Sequence, residues 1–238
     1  MVWGTEVEMT ETTLMGIRVL EPVTSATDLL TACTAYTAWW LLGRTGADRE
    51  ADRLFRLYFL LIGIATTFAG LAGHAFLYVW GDPQKVVGWI FSGLGILAIE
   101  RAAIAYAHWL TPGQRRLRLI FVFTQFGIFL LSVLYPETSS FENVKLNSAL
   151  GLLIIVGGLH LEGYRRDRTP GRAWVLGAIA WGLIPAFTFN TKFSLHTWFN
   201  YHDISHVLMA ISMLIMYLGA RRLAIRPPVV PAMQPVHV

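Results

Sequence analysis

The stretch from 202 to 220, His202-Asp203-Ile204-Ser205-His206-Val207 followed by Leu-Met-Ala-Ile-Ser-Met-Leu-Ile-Met-Tyr-Leu-Gly-Ala, decides how the whole chain is read. Beyond Asp203 it carries no acid and no Lys or Arg until Arg221. A helix needs roughly 20 mostly apolar residues, at about 1.5 Å of rise each, to cross a bilayer core about 30 Å thick. The run meets that length and therefore reads as a membrane span. Working outward, six further stretches near 23–43, 56–80, 84–109, 117–135, 146–164 and 173–190 come close to the same requirement. The composition agrees: 55% of residues are hydrophobic, 14% are charged and the mean hydropathy is +0.51. A soluble domain carries about 25% charged residues. The expected fold is an all-α membrane protein with seven transmembrane helices, and a water-soluble globule is excluded.

Charge and cysteine narrow the partners. The net charge of +4 might suggest nucleic acid, but the basic residues lie in loops rather than on one face, so no nucleic-acid partner is expected. The single Cys33 rules out an intramolecular disulfide framework and a thiolate metal cluster. Segment 1–20 is acidic and lacks the basic start and apolar run of a cleaved leader. It is expected outside the cytoplasm, followed by a seven-helix domain over 21–223 and a disordered cytoplasmic tail over 224–238. Fourteen Arg residues fall in loops one, three and five and the C-terminal tail, against four Lys or Arg in the N-terminus and loops two, four and six. Basic residues in short loops stay inside. The N-terminus is thus expected outside and the C-terminus inside, in a multi-pass protein of a bacterial plasma membrane. The oligomeric state is not legible.

Ionisable residues inside spans are costly and are functional candidates by default. The assumed parity brings His74, late in the second span, to the same outer level as His202 and His206, which open the seventh. Glu21 and Asp28, at the start of the first span, and Asp82, at the start of the third, join them. The i, i+4 spacing of His202 and His206 puts both imidazoles on one helix face, about 6 Å apart. With a third imidazole from a neighbouring helix they would make a three-His zinc site with an open position for water. The bland alternative is a pair of imidazoles hydrogen-bonded to neighbouring helices. By the same depth count Glu100, Arg101, His108, His160 and Glu162 fall in the other half of the membrane. There Glu100 and Arg101 read either as an internal ion pair or as residues that reach other partners near the inner face, with a proton path left open, and His108 and His160 as hydrogen-bonded helix residues rather than ligands.

The set Glu21-Pro22-x-Thr24-x-x-Thr27-Asp28, with His74, an Asp opening the third span and His202-x-x-x-His206-Val207, resembles the superfamily of seven-span hydrolases that includes the alkaline ceramidases and the progestin and adiponectin receptors. The likeness touches all seven spans in layout and four short motifs in residues. It implies that His74, His202 and His206 are zinc ligands and that Asp82 holds or activates the water. It places Glu21 where the ceramidases bind a structural calcium, and Asp28 where they have a polar residue. The chain departs from the family at Gly70, where a Ser four residues before the second-helix His is usual; Thr66 or Thr67 would have to replace that hydroxyl. Asp82 follows His74 more closely than in the ceramidases, and the acidic calcium segment is echoed only by Trp3, Glu6, Glu8 and Glu11.

The chemistry implied is zinc-dependent hydrolysis of an amide or ester bond. Zinc on three neutral imidazoles lowers the pKa of water toward about 7 and polarises a carbonyl. Asp82 is the expected base, Asp203 a supporting residue that orients a ligand or lies at the surface. A site within the outer leaflet is reached by lateral diffusion, so a lipid is the expected substrate or ligand. The rival reading is a seven-span sensor that binds a lipid or other ligand and keeps the metal for structure. A haem carrier would need His on facing helices, and no inverted repeat suggests a transporter.

Overall fold

The computed structural model describes residues 8–225. Among the described residues, the regular structure apart from a short hairpin is helical. Strands β1 (Glu11–Leu14) and β2 (Ile17–Leu20) pair antiparallel in the register Glu11↔Leu20 to Leu14↔Ile17. The two residues between them, Met15 and Gly16, both adopt positive φ, of 51° and 81°. That backbone matches the right-handed twist of a two-residue hairpin, and the β-branched Thr12, Thr13, Ile17 and Val19 suit the flanking strands. The sequence reading assigned no secondary structure to this N-terminal segment. The expected tail from 226 on, with Trp3 and Glu6, lies outside the described residues.

Helix α1 (Pro22–Gly43) is followed by α2 (Glu50–Phe68), whose last turns widen into a π-helical segment, Ala69–Ala75, and end in the short α3 (Leu77–Trp80). A 3-10 turn at Asp82–Gln84 leads into α4 (Lys85–Tyr106), then α5 (Pro112–Leu134). Helix α6 (Phe141–Ala149) runs through a second π-helical segment, Leu150–Gly157, into α7 (Gly158–Asp167). Helices α8 (Pro170–Trp181), α9 (Leu183–Asn190) and α10 (Tyr201–Ile225) complete the chain. The break between α8 and α9 has a local cause. Pro185 has no N–H to give the carbonyl of Trp181 and its ring crowds that carbonyl, so the helix yields at Gly182. Helix α5 begins on a reciprocal cap, with Gln114 N–H on Thr111 Oγ1 (3.3 Å) and Thr111 N–H on Gln114 Oε1 (3.1 Å).

Six helical stretches are long and apolar enough to cross a membrane: Glu50–Ala75, Asp82–Tyr106, Pro112–Leu134, Phe141–Asp167, Pro170–Asn190 and Tyr201–Ile225. This is the architecture of an all-α, multi-pass membrane protein. Helix α1 matches them in length, with 22 residues, but Thr24, Ser25, Thr27, Asp28 and Thr31 lower its apolarity, and all five are buried. The bundle closes on itself: α1 packs between α2 and α10, α4 lies along α2, α5 and α6 pack on α4, and α8 joins α10 to the second π segment. The core is built from Phe55, Tyr58, Phe59, Ile99, Val122, Val156 and Val175, with alanines at 35, 38, 98, 102 and 103 letting the helices approach closely. Helix α5 is the least enclosed and exposes Leu117, Ile120, Phe121, Phe123, Ile128 and Leu131. An apolar outer surface of that kind suits lipid rather than water.

Polar side chains gather at both ends of the bundle. At the arginine end, Arg49 Nε and Nη2 meet Asp52 at 2.7 and 3.1 Å, and Nη2 also reaches the carbonyls of Leu223 (2.6 Å) and Ala224 (3.2 Å). The Tyr106 hydroxyl donates to Asp52. The buried Arg172 holds Asp167 (3.2 Å) and the Tyr106 carbonyl (3.3 Å). Of the two alternatives for Arg101, the structure has the reach to another partner, Glu50 at 3.4 Å, and not a pair with its neighbour Glu100. One expectation in this half needs correction. His160 is fully buried with its ring against Phe55 and Tyr106, and neither ring nitrogen meets a hydrogen-bond partner.

Candidate functional site

The other end is the histidine end. Its side chains come from three places: the start of α1, the π segment that follows α2, and the start of α10. Helix α10 is positioned by its cap. Asn200 Oδ1 accepts from His202 N–H (2.9 Å), and Asp203 Oδ2 accepts from Asn200 N–H (2.6 Å). This reciprocal cap satisfies donors that a helix start otherwise leaves unpaired. Ser194 Oγ takes the Tyr201 N–H at 3.1 Å. Asp203 Oδ2 is thereby engaged, its Oδ1 has no hydrogen-bond partner, and the residue is fully buried, which places it in support of the helix rather than at the surface.

Helix α1 presents Thr24, Thr27, Asp28 and Thr31 as one polar stripe, at the spacing of a single helix face. Thr31 Oγ1 donates to the His206 carbonyl (3.1 Å) and Thr27 Oγ1 meets His206 Nδ1 (3.2 Å), so α1 grips α10 at this residue through both ring and backbone. On its other side α1 meets the π segment, where Ser25 Oγ donates to the Gly70 carbonyl (2.8 Å). A Cβ at Gly70 would stand 3.0 Å from Asp28 Cβ and 3.0 Å from the Ser25 carbonyl. Glycine is what lets the two backbones come this close. The π segment carries an extra residue in its turn, marked by the Phe76 N–H reaching back to the Leu71 carbonyl (2.8 Å), and His74 projects from it toward α1.

The result is a tight group. Glu21, which caps α1 in the left-handed region at φ 41°, accepts from His74 Nδ1 at 2.8 Å. His74 Nε2 stands 3.7 Å from Asp28 Oδ2, and His206 Nε2 stands 3.5 Å from Asp28 Oδ1. The His74 ring lies 5.8 Å from that of His202 and 6.2 Å from that of His206, centroid to centroid. His202 is walled by Tyr201 (4.2 Å) and Phe189 (5.2 Å). Asp28 is 2% exposed, and its Oδ2 has no hydrogen-bond partner.

The bonding around each ring fixes where its lone pair lies. With neutral imidazoles, the Nδ1–H of His74 is given to Glu21, leaving the Nε2 lone pair facing Asp28. Thr27 donates its own hydroxyl proton to the Thr24 carbonyl (3.0 Å), so its oxygen can only accept from His206 Nδ1. His206 Nε2 therefore also offers a lone pair to Asp28. In that neutral form two imidazole lone pairs face the buried carboxylate, at 3.7 and 3.5 Å.

The structure thus brings together Glu21, Asp28, His74, His202 and His206, with Asp203 beside them. It does not bring in Asp82, whose side chain is 82% exposed and turned to Lys85 (2.7 Å). Thr67 is bonded to Tyr36 (3.2 Å) and the Gly63 carbonyl (2.8 Å), and Thr66 to the Ile62 carbonyl (3.0 Å), so neither takes the place of the missing serine. Of the acids expected near a calcium, Glu11 pairs with Arg18 and Glu21 with His74. Among the described residues no group of three or more His, Cys, Asp or Glu side chains is arranged to hold a metal ion as it stands. Thr27 and Asn200 were not singled out as functional in the sequence, although the Thr24, Thr27, Asp28, Thr31 stripe was a readable signal.

No curated protein and no solved structure matches the chain. One family model does, over residues 23–225, and the chain belongs to that family, a family of unknown function, DUF6962.

Proposed function

We propose that this protein is a zinc-dependent membrane hydrolase acting on an amide or ester bond of a lipid, with α1 as a seventh span and the histidine end in the outer leaflet. The observation that carries the reading is the convergence of His74 Nε2 and His206 Nε2, at 3.7 and 3.5 Å, on the buried Asp28 carboxylate, whose Oδ2 has no hydrogen-bond partner. A buried cluster of acceptors is relieved by a shared cation, a metal ion or a proton. The residues fit zinc. Two imidazoles on one tetrahedral ion, with Zn–N of about 2.1 Å, place their centroids roughly 5–6 Å apart, and the observed separations from His74 are 5.8 and 6.2 Å.

His74, His202 and His206 would hold the ion, with Asp28 against it. When bound, zinc supplies Lewis-acid polarisation of the scissile carbonyl and a more acidic water. The protein's own residues do the rest. Glu21 and Thr27 lock the tautomers of His74 and His206, as acceptors on the far ring nitrogen do in metal sites. Asp28, and not the exposed Asp82, is placed to take a proton from water and return it to the leaving group. Phe189 and Tyr201 give an apolar wall beside His202 against which an acyl chain can lie. Calcium has no comparable support.

The test is elemental mass spectrometry of the full chain purified without added metal or chelator, wild type against His202→Ala with His206→Ala. Stoichiometric zinc that the double variant loses supports the reading and justifies a screen of lipid amides and esters. A folded wild type that holds no zinc, even after reloading, sinks it. A second reading, a ligand-binding sensor with a structural metal, is favoured by Gly70, whose close contact with Asp28 leaves no room for the family's serine. Zinc retention with no turnover on any lipid amide or ester would select it.

A further inference from the structure

The hairpin at the histidine end has an unusual turn. A two-residue connection with both φ positive favours Asn-Gly or Asp-Gly, whose short polar side chains tolerate the left-handed region. Here Met15 takes the first place, at φ 51°, before Gly16 at 81°. A long apolar side chain is not suited to that backbone, and packing does not compensate, because Met15 is fully exposed. Its neighbours repeat the pattern: Leu14 and Ile17, paired directly across the strands, are 56% and 55% exposed. Residues opposite one another share a face, and faces alternate along a strand. Leu14 and Ile17 therefore lie with Thr12 and Val19 on one face, whereas Glu11, Thr13 and Arg18 lie on the other, where Glu11 and Arg18 are paired in the open. The hairpin is amphipathic, with an apolar tip.

Its position says what meets that tip. Strand β2 ends at the buried Leu20 and runs without a linker into Glu21, whose N–H is held by the Thr10 carbonyl (2.7 Å). The middle of the hairpin is fixed to α3: the Tyr78 hydroxyl donates to the Arg18 carbonyl (2.9 Å), and the Arg18 guanidinium lies over the Tyr78 ring, 5.4 Å from its centroid. Helix α3 follows directly on the apolar stretch Glu50–Ala75 and leaves Tyr78, Val79 and Trp80 exposed. Aromatic side chains at the end of a span mark the level of the lipid headgroups. The hairpin is tied to that level, in continuity with the lipid-facing surface of the bundle, and not raised on a linker into water.

We propose that the β1–β2 hairpin is a membrane finger, which seats Leu14, Met15 and Ile17 among the lipids of the leaflet at the histidine end while Glu11 and Arg18 stay at the polar surface. Lipid gives these side chains the apolar surroundings that water does not. A tip of this kind sinks about 5–10 Å into the boundary between headgroups and acyl chains, as the apolar face of an interfacial helix does. Rooted at Glu21, the finger also braces the residue that accepts from His74. Its seating does not depend on what the histidine end binds.

The test is electron paramagnetic resonance of the full chain in vesicles of mixed phosphatidylcholine and phosphatidylglycerol. With the exposed Cys33 changed to Ser, a nitroxide is attached at Met15→Cys or, on the polar face, at Thr13→Cys. The label at 15 should collide readily with oxygen and several-fold less often with a water-soluble nickel chelate than the label at 13. Equal nickel collision at the two positions, whether both are wet or both immersed, overturns the proposal. So does a label at 15 shielded from oxygen and nickel alike, which means a protein partner; broadening that dilution with unlabelled chain removes would identify that partner as a second copy. Met15→Asn, which suits the turn, gives an independent reading from a label at Ile17→Cys. Nickel access there should rise several-fold when Met15→Asn is added, and an unchanged value overturns the finger.

Discussion

Asp28 and Asp52 are both aspartates buried near the end of a helical bundle, 2% and 7% exposed, yet their surroundings are opposite. Around Asp52 everything donates: Arg49 through two nitrogens and Tyr106 through its hydroxyl. Around Asp28 stand two imidazole nitrogens, at 3.7 and 3.5 Å, whose rings as neutral tautomers give their protons to Glu21 and Thr27. The first arrangement is complete and ties the start of α2 to the end of α10 and to α4. The second leaves Asp28 Oδ2 without a donor. Burial of a carboxylate therefore does not by itself mark a site; what marks one is burial without donors.

Neutralising each acid separates the two ends most sharply. Asp28→Asn should lower turnover by about 10²- to 10⁴-fold, the usual effect of losing a proton-transfer group, and should weaken zinc retention. In the metal-free protein it should leave the melting temperature unchanged or raise it, because an unpaired buried charge is removed. A lipid-hydrolysis assay and a thermal scan in detergent together check this. If Asp28→Asn instead melts the metal-free protein while activity per folded molecule persists, the two ends are alike and the contrast fails.

Asp52→Ala should do the reverse. Breaking a buried pair costs about 3–5 kcal/mol, and the exposure of Arg49, whose side chain is 37% accessible, puts the expected loss at about 3 kcal/mol, the lower end. Activity per folded molecule should hold. Denaturant or thermal unfolding gives the first number and active-site titration the second.

The histidine end can also be tested through its packing. Gly70→Ser restores the hydroxyl usual in the resembling family, but its Cβ would press on Asp28 Cβ and the Ser25 carbonyl, both at 3.0 Å. Neighbours that tight yield at about 1–3 kcal/mol. The expected result is a destabilised protein with weaker zinc retention, since α1 carries Asp28 and Thr27 away as it moves. A serine accepted without loss, with higher turnover, would mean that α1 is free to shift and that the site tolerates the family's pattern.

How far the sequence reached follows from the range of each signal. Apolar length is local, so six of the seven expected spans meet the requirement directly. Helix α1 does not because its polar stripe faces inward, and that stripe is the site. The i, i+4 spacing of His202 and His206 is local too, and with His74 it led to the right cluster of imidazoles. The partner carboxylate was not legible in the same way. Asp82 is near His74 in sequence, but the turn at Gly81, with φ 73°, ends the segment and leaves Asp82 facing outward toward Lys85. Asp28 reaches the site because α1 packs on Gly70, a contact 45 residues long along the chain from Ser25. The π segment and the left-handed Glu21 are likewise set by tertiary packing, which residue patterns do not encode one position at a time.

Asn200→Ala gives the smallest effect and the finest discrimination. The cap satisfies two backbone donors at the start of α10, through Asn200 Oδ1 on His202 N–H and Asp203 Oδ2 on Asn200 N–H. Losing the side chain costs about 1 kcal/mol at such positions. Only the first of those bonds disappears, since the second uses the backbone, so the helix should still start at the same residue with a frayed first turn. His202 sits in that turn while His206 lies a turn further on, pinned by Thr27 and Thr31 of α1. Zinc affinity should therefore fall by a modest factor, with Asp28-dependent chemistry retained at saturating metal. If affinity is untouched while stability drops by the full amount, His202 is not among the ligands, and the ion is held by His74, His206 and Asp28 alone.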